Sequence, residues 1–126
     1  MNSSQKFGVV IFTGGVDRLA RFYEGVAGLQ RVSGDEQHTV LESPSFQLVV
    51  HAISGESTPS VPPIVREDSH IKPFFPVESL SVARERAAAL GGMLRPASAE
   101  WGARGFRACD GVDSDGNVIQ CRESVA

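Results

Sequence analysis

Few residues in this sequence carry side chains suited to catalysis or to metal binding. There are three histidines, His38, His51 and His70, and two cysteines, Cys109 and Cys121. Nucleophilic catalysis needs a serine or cysteine paired with a histidine, and no such arrangement can be argued from the sequence. The Gly-x-Ser-x-Gly turn that exposes a catalytic serine is also absent. Metal binding therefore has to be tested residue by residue.

The acidic run Asp113-Ser114-Asp115-Gly116-Asn117 invites comparison with a calcium loop. An EF-hand loop places ligands at positions 1, 3, 5 and 12 around a glycine at position 6. With Gly116 at position 6, position 1 is Gly111 and position 12 is Arg122, and both are unsuitable. The run instead predicts a tight turn between two strands, because Asp, Gly and Asn are common turn residues.

Cys109 and Cys121 lie at equal distances on either side of Asp115. If the chain reverses at that residue, the two thiols face each other across a pair of strands. Two small buried residues are the favoured interpretation, and a disulfide or a reactive dithiol is the alternative. The first residues show no charged segment followed by an apolar run, so no secretory signal is expected. We therefore predict a cytoplasmic protein with reduced thiols.

The overall composition argues against several classes of partner. The chain has 126 residues, with 12 Lys and Arg against 15 Asp and Glu and a formal net charge of −3. A slightly acidic protein is a poor match for nucleic acid or for an anionic membrane surface. No stretch reaches the roughly 20 apolar residues of a membrane span. The length suits a single domain, residues 1–126, with its own core.

The elements that must position these residues begin with a strand and a helix. Residues 7–13 form an apolar run, rich in β-branched and aromatic residues, that is typical of a buried strand. From Val16 to Val26 the apolar residues fall at helical spacing, and Gly28 stands where a helix-ending glycine is expected. Three strand-like segments follow, at about 29–34, 38–43 and 46–53.

The second half of the chain repeats this order. Residues 54–69 contain Pro59, Pro62 and Pro63 and no periodicity, which is typical of a linker or long surface loop. A helical stripe then runs from Leu80 to Leu90. The strand-like segments of this half lie at about 71–77, 93–97, 104–110 and 117–123.

A shift of 64 residues superimposes the two halves, for example Val16 on Leu80 and Gly28 on Gly92. The sequence therefore predicts an α+β fold of two tandem βαβββ units, about 7–53 and about 70–123. Neither unit alone could bury its helix face and its sheet face, so we expect them to fold together.

The two units resemble the vicinal oxygen chelate superfamily, which contains glyoxalases, bleomycin-resistance proteins and extradiol dioxygenases. The likeness lies in Phe22-Tyr23 and Gly28-Leu29 of the first unit, and in Trp101-Gly102 and the run from Asp113 to Asn117 of the second. The family often has proline where this chain has Ser114. The resemblance covers about residues 7–123. It implies curved sheets that form a cup for a small ligand, commonly in a homodimer.

The resemblance also identifies where a metal would be held, on the first and last strand of each unit. Carried over to this chain, these positions fall on Gly8, Gln47, Lys72 and Gln120. Glycine offers no ligand, lysine repels a cation and glutamine offers one neutral oxygen, whereas such metals bind imidazoles and carboxylates. We predict that the metal site is lost and that there is no cofactor. A substitute site in which His51 and His70 face one cup is the less favoured alternative.

Side chains of a strand alternate between its two faces, so the same positions indicate which residues line the cup. The predicted ligand-binding residues are Phe12, Gln47, His51, Lys72, Phe74, Trp101, Gln120 and Arg122. Trp101 is expected in a loop at the rim, where it either stacks on a ligand or packs as an ordinary apolar residue. The surface is mostly apolar with two cations, Lys72 and Arg122, and suits a small neutral or anionic organic molecule.

The sequence thus predicts a metal-free, dimeric protein of glyoxalase/bleomycin-resistance type that binds a small molecule. The alternative is a glyoxalase-like lyase, isomerase or dioxygenase with a degenerate metal site, using His51, His70, Lys72 or Gln120 in new roles. Lys72, if desolvated beside Phe74, could then act as a base or Schiff-base amine. A third interpretation is a structural or regulatory partner with a vestigial cup.

Overall fold

The first unit has the predicted order of elements. The structure, a computed structural model, describes residues 5–53 and 62–125. The elements of this unit are β1 (Phe7–Thr13), α1 (Val16–Ala27), β2 (Gln30–Gly34), β3 (His38–Glu42) and β4 (Phe46–Ala52). Helix α1 buries its apolar stripe and ends at Gly28, whose φ of 68° lies in the left-handed region that glycine adopts without strain.

The second unit differs from the first at one strand. Its elements are β5 (Phe74–Val77), α2 (Leu80–Ala89), β6 (Met93–Leu94), β7 (Trp101–Ala103), β8 (Phe106–Val112) and β9 (Val118–Ser124). Strands β6 and β7 both pair with β8, at opposite ends of it. Together they take the place that β2 holds beside β3, and the short 3-10 helix Ala97–Ala99 separates them.

Several strand boundaries predicted for this unit are wrong. The strand predicted at 71–77 starts only at Phe74, so Lys72 precedes β5, and Pro73 has no N–H for a ladder hydrogen bond. The strand predicted at 93–97 stops at Leu94. Trp101 lies in β7 and not in a loop, because a two-residue turn with Gly105 at a φ of 89° folds β7 back onto β8.

The strands form two open sheets. The first has the order β1-β4-β3-β2, and the second has the order β5-β9-β8-β6 with β7 also on β8. In each unit the first strand runs parallel to the last, because a helix crosses over between them, and the other pairs are antiparallel. In the described ranges no strand pair joins the units, which meet instead through helices and core.

A shared apolar core holds the units together. Each helix packs on its own sheet, and α1 also packs against α2 and β5. The Phe75 ring of β5 lies 5.2 Å from the Tyr23 ring and 5.9 Å from the Phe46 ring, measured between centroids. The buried cluster therefore draws on both units. The opposite face of each sheet is left open, with Phe12 and Phe74 exposed on it.

The run from Asp113 to Asn117 forms the predicted turn, and it is buried between the units. The Tyr23 hydroxyl donates to Asp113 Oδ2 at 2.5 Å, and Asp113 also accepts hydrogen bonds from the Asn117 amide and from two backbone N–H groups of the turn. Thr13 Oγ1 donates to Asp115 Oδ2 at 2.5 Å. Strand β1 and helix α1 are thus fastened to the β8–β9 turn.

Burial gives this cluster unusual titration behaviour. Desolvation raises the pKa of Asp113, although the hydrogen bonds from Tyr23 and Asn117 oppose it. Desolvation and the neighbouring Asp113 carboxylate raise the pKa of Tyr23 well above its ordinary value. The desolvation of Tyr23 and the nearby Asp113 carboxylate both favour a neutral tyrosine hydroxyl, which donates its hydrogen bond into the turn.

Part of the predicted linker is docked on this turn. Residues 54–61 lie outside the described residues. The Arg66 backbone N–H donates to the Gly116 carbonyl at 2.9 Å, and Arg66 Nε donates to the Asp115 carbonyl at 3.2 Å. A Cβ at Gly116 would collide with the Ile64 carbonyl, so this approach requires glycine. Within residues 5–53 and 62–125, no helix has the length and apolar character needed to cross a membrane.

Candidate functional site

The alternation of buried and exposed residues separates the two faces of the first sheet. On β4, Leu48 and Val50 are buried beneath α1, whereas His51 is exposed. The register pairs Phe12 with His51 and Gly8 with Gln47. The surface away from the helix, here named the first open face, is made by Gly8, Val10, Phe12, Gln47, Val49 and His51.

The second sheet has an equivalent surface. The register places Phe74 opposite Gln120, which in turn lies opposite Asp110, and it places Trp101 and Arg122 on either side of Ala108. This second open face consists of Phe74, Trp101, Phe106, Ala108, Asp110, Gln120 and Arg122, with Lys72 at its margin. The predicted ligand-binding residues are thus divided between two sheets, Phe12, Gln47 and His51 on the first and the others on the second.

A chain of hydrogen bonds crosses the second open face. Lys72 Nζ donates to Asp110 Oδ2 at 3.0 Å, and Gln120 Nε2 donates to Asp110 Oδ1 at 3.0 Å. Gln120 Oε1 accepts a hydrogen bond from Arg122 Nε at 2.7 Å. Partial burial raises the pKa of Asp110, but the hydrogen bonds from Gln120 and Lys72 outweigh it and hold that pKa below its usual range. The carboxylate is therefore charged, and it orients the Gln120 amide.

Aromatic rings hold the Arg122 guanidinium in place. Its Cζ lies 3.5 Å from the centroid of the Phe74 ring and 4.3 Å from that of Phe106. These rings come from the strands on either side of β9, so the guanidinium lies between them. The Trp101 ring meets Phe106 edge-on at 6.1 Å. Phe74 and Trp101 remain 55% and 43% exposed, so this cluster is open to solvent.

Phe106 and Asp110 are members of this surface that the sequence prediction did not include. Both lie in the strand predicted at 104–110, at even spacing with Ala108, so they share one face of it. That alternation was the signal available in the sequence. It could not be used without knowing which neighbouring strand carried Trp101, because the register of β7 on β8 decides which residues meet.

The first open face has a similar polar chain at one end. Lys6 Nζ donates to Glu42 Oε1 at 2.8 Å, and Gln47 Nε2 donates to Glu42 Oε2 at 2.8 Å. These two hydrogen bonds hold the pKa of Glu42 below its usual range. In both units, therefore, a carboxylate on a neighbouring strand is shared between a lysine and the predicted ligand-binding glutamine.

The histidines are arranged differently from the predicted alternative. His51 lies opposite His38 on the neighbouring strand, with parallel rings 6.3 Å apart, and its ring is 5.5 Å from that of Phe12. His70 is exposed and precedes β5 in the chain. The structure thus brings His51 together with His38 and not with His70.

The residues at the family's metal positions do not fit a divalent metal. The paired registers equate Gln120 with Val49 and not with Gln47, because Val10 pairs with Val49 as Phe74 pairs with Gln120. Valine has no ligand atom, and Lys72 and Gln120 are already bonded to Asp110. In the described part of the chain, no group of three or more His, Cys, Asp or Glu side chains could hold a metal ion.

The remaining chemical candidates are occupied or buried. Cys109 and Cys121 lie directly opposite each other, as predicted from their spacing, and both are free and fully buried. Burial raises the pKa of Cys121 to about 12. The Lys72 side chain is 42% exposed and paired with Asp110, so the desolvation that a Schiff-base role would require is missing.

A cleft of about 750 Å³ lies elsewhere, between the end of α1 and the start of α2. Val26, Pro76, Val82 and Arg86 are among its lining residues, and none of the eight predicted ligand-binding residues lines it. The cleft is therefore not formed by the predicted ligand-binding residues.

Comparison with known proteins identifies the fold. No protein-family model and no curated protein matches the sequence. A glyoxalase/bleomycin resistance protein/dioxygenase family enzyme from Burkholderia phytofirmans matches 94% of this chain and 97% of its own, with 17% identity and a TM-score of 0.67. The fosfomycin resistance protein FosX from Mesorhizobium loti matches 99% of this chain and 95% of its own, with 16% identity and a TM-score of 0.65.

A third solved structure is a FosX variant from Listeria monocytogenes, complexed with Mn(II) and 1S,2S-dihydroxypropylphosphonic acid. It matches 99% of this chain and 93% of its own, with 13% identity and a TM-score of 0.65. Likenesses at these identities concern the fold. The chain thus has the glyoxalase/bleomycin-resistance fold, which confirms the predicted fold of two tandem βαβββ units.

Proposed function

We propose that this protein binds a small neutral or anionic organic molecule on its open faces without a metal. The observation that carries the proposal is the Lys72–Asp110–Gln120 chain, in which residues at two metal positions bind a carboxylate of the protein. An ammonium there repels a divalent cation and leaves the surface suited to another ligand. The exposed rings of Phe12, Phe74 and Trp101 supply apolar contact area.

We further propose that a second copy of the chain completes the binding site. The predicted ligand-binding residues lie on two sheets, and among the described residues no hydrogen bond, ion pair or ring contact joins the two groups. Strands β1 and β5 each pair on one side only within the described ranges. A partner that aligns its β1 with β5 of this chain would cover both edges and bring its first open face beside the second open face, so that the exposed rings line one site.

Sedimentation equilibrium tests the dimer. We expect a mass of twice the 13.5 kDa of one chain at micromolar concentration. Val10→Asp, which charges the first open face at a half-exposed position, is expected to shift the equilibrium toward the monomer. Val32→Asp is the matched control on an exposed valine of β2, away from β1. A monomeric wild-type chain, or equal loss of dimer in both variants, would contradict this arrangement.

A thermal-shift series on chelator-stripped protein tests metal-free binding. We expect Mn²⁺, Ni²⁺ and Zn²⁺ to leave the unfolding midpoint unchanged, because the residues at the family's metal positions provide no suitable set of ligands. Small aromatic and acidic organic compounds are expected to raise the midpoint with concentration, since a ligand of the folded state stabilises it. The protein as isolated is expected to contain no stoichiometric metal.

A variant separates the family's metal positions from an accidental imidazole site. His38 and His51 lie side by side and could bind Ni²⁺ or Zn²⁺ at the surface. A metal-dependent rise that disappears in His51→Ala would belong to that pair. A rise that persists in His51→Ala, together with stoichiometric metal, would overturn the proposal and favour a metal-dependent enzyme.

A cytoplasmic location is also part of the proposal, and the two free thiols support it.

A further inference from the structure

The terminal nitrogens of Arg122 have no partner within residues 5–53 and 62–125. The Nε atom donates to Gln120 Oε1, and the Phe74 and Phe106 rings lie over the guanidinium. No oxygen of the described chain accepts a hydrogen bond from either Nη atom, and Arg122 is only partly buried. The guanidinium therefore presents an in-plane edge of N–H donors to a molecule outside the chain.

The position of this edge is fixed before anything binds. The rings set the plane of the guanidinium, and the hydrogen bond to Gln120 sets its rotation within that plane. Gln120 is itself 4% exposed and held by Asp110. A preorganised arginine loses little conformational freedom on binding, which favours recognition of a planar two-oxygen acceptor.

The charge around Arg122 is positive. Asp110 is the carboxylate of this surface, and Lys72 already compensates it at 3.0 Å. Arg104 adds a second cation, with its Cζ 5.1 Å from the centroid of the Phe106 ring. The net field at the Arg122 edge therefore favours an anion and disfavours a cation.

The apolar surface beside Arg122 is provided by the exposed indole of Trp101. Trp101 and Arg122 occupy one row across the sheet, with Ala108 between them. Ala108 is fully buried beneath this row, whereas Trp101 is 43% exposed, so the indole is the apolar part of the row that a ligand can reach. A flat aromatic body can stack against such an exposed indole.

We infer that the second open face binds an aromatic carboxylate. Its two oxygens would accept hydrogen bonds from the terminal nitrogens of Arg122, and its ring would lie against the indole of Trp101. This inference rests on the proposed function and narrows it, because it selects an anionic ligand with a planar head and an aromatic body. Because Phe74 and Phe106 hold its guanidinium in place, Arg122 is the residue that determines specificity for the carboxylate.

Fluorescence of Trp101 measures this binding directly, because it is the single tryptophan of the chain. Benzoate is the probe, benzamide is its neutral analogue, and inorganic phosphate tests an anion without a ring. We expect benzoate to change the emission of Trp101 and to bind at least about 10-fold more tightly than benzamide, since charge-assisted bidentate hydrogen bonds are strong. Phosphate is expected to compete weakly.

Two variants of Arg122 test the geometry. Arg122→Gln is expected to weaken benzoate binding by about 10- to 100-fold and to abolish the preference over benzamide. Arg122→Lys keeps the charge but loses the two in-plane N–H donors, and is expected to keep only a small part of the wild-type affinity for benzoate. Arg107→Gln is the matched control, because Arg107 lies on the opposite face of β8 and pairs with Glu100. Its benzoate affinity should be unchanged.

Several results would overturn the inference. Equal binding of benzoate and benzamide would show a small-molecule site without carboxylate recognition, and would leave the broader proposal standing. If Arg122→Lys bound benzoate as tightly as the wild type, or if phosphate competed as well as benzoate binds, the attraction would be due to charge alone. Absence of benzoate binding would also reject the aromatic carboxylate, while stabilisation by other organic compounds in the thermal-shift series would still support the proposed function.

Discussion

Asp113→Ala is expected to lower the free energy of unfolding by about 3–5 kcal/mol, a large part of the stability of a small domain. Asp113 is fully buried and accepts hydrogen bonds from Tyr23, from the Asn117 amide and from two backbone N–H groups. Alanine would leave these donors without their acceptor, and those of Tyr23 and Asp115 are buried. Because Tyr23 belongs to α1 and Asp113 to the second unit, the change also loosens the contact between units. Urea unfolding at neutral pH measures the loss.

Two further variants make this test specific. Asp68→Ala removes the same side chain at an exposed site and is expected to change stability by less than about 0.5 kcal/mol. Asp113→Asn keeps one acceptor oxygen, so its loss should fall between those of the two alanine variants. If Asp113→Ala unfolds at the same urea concentration as Asp68→Ala, the turn does not fasten the two units.

Much of the fold could be predicted because the repeat consists of local patterns, namely the spacing of apolar residues and the glycines that end the helices. The stripe from Val16 to Val26 and the glycine after it specify α1, and the same order returns 64 residues later. The interrupted strand of the second unit was not predictable in this way. Strands β6 and β7 are too short to show alternation, and they are strands only because β8 offers both of them an edge. The grouping of both units into one domain stays a prediction.

The site was predictable one strand at a time, and its assembly was not. Alternation assigned Phe74 and Gln120 to one face and separated Phe12 from the core, and the registers agree with both assignments. The surroundings of Arg122 depend on a strand that is distant in the sequence. Phe106 contacts Arg122, and Asp110 holds the neighbouring Gln120, only because β8 pairs with β9. The division of the site between two sheets likewise follows from tertiary packing. The ligand-binding roles of these residues remain predictions that the titrations above test.

Tyr23 is expected to remain un-ionised in alkali until the protein unfolds. Its burial beside the Asp113 carboxylate raises its pKa well above the ordinary value. It is the single tyrosine of the chain, so the ultraviolet absorbance of phenolate reports on it alone. In the unfolded chain this group titrates near pH 10. Phenolate absorbance should therefore appear together with the loss of folded structure, as followed by circular dichroism.

The same shift makes stability depend on pH in a defined direction. Below about pH 10 both states keep the tyrosine proton, and the stabilisation is complete. Above about pH 10 only the unfolded chain loses that proton, so the free energy of unfolding falls by up to about 1.4 kcal/mol per pH unit. Urea unfolding from about pH 8 to about pH 11 follows this decline.

Tyr23→Phe isolates the contribution of the hydroxyl group. The variant is expected to be less stable than the wild type near neutral pH, because Asp113 loses a donor, and its stability should decline less in alkali. The two curves should therefore converge as the pH rises. Burial raises the pKa of Cys121 to about 12, which acts in the same direction in both proteins and cancels in the comparison. Parallel curves, or phenolate absorbance from a folded chain near pH 10, would show that the Tyr23 hydroxyl is not held by Asp113.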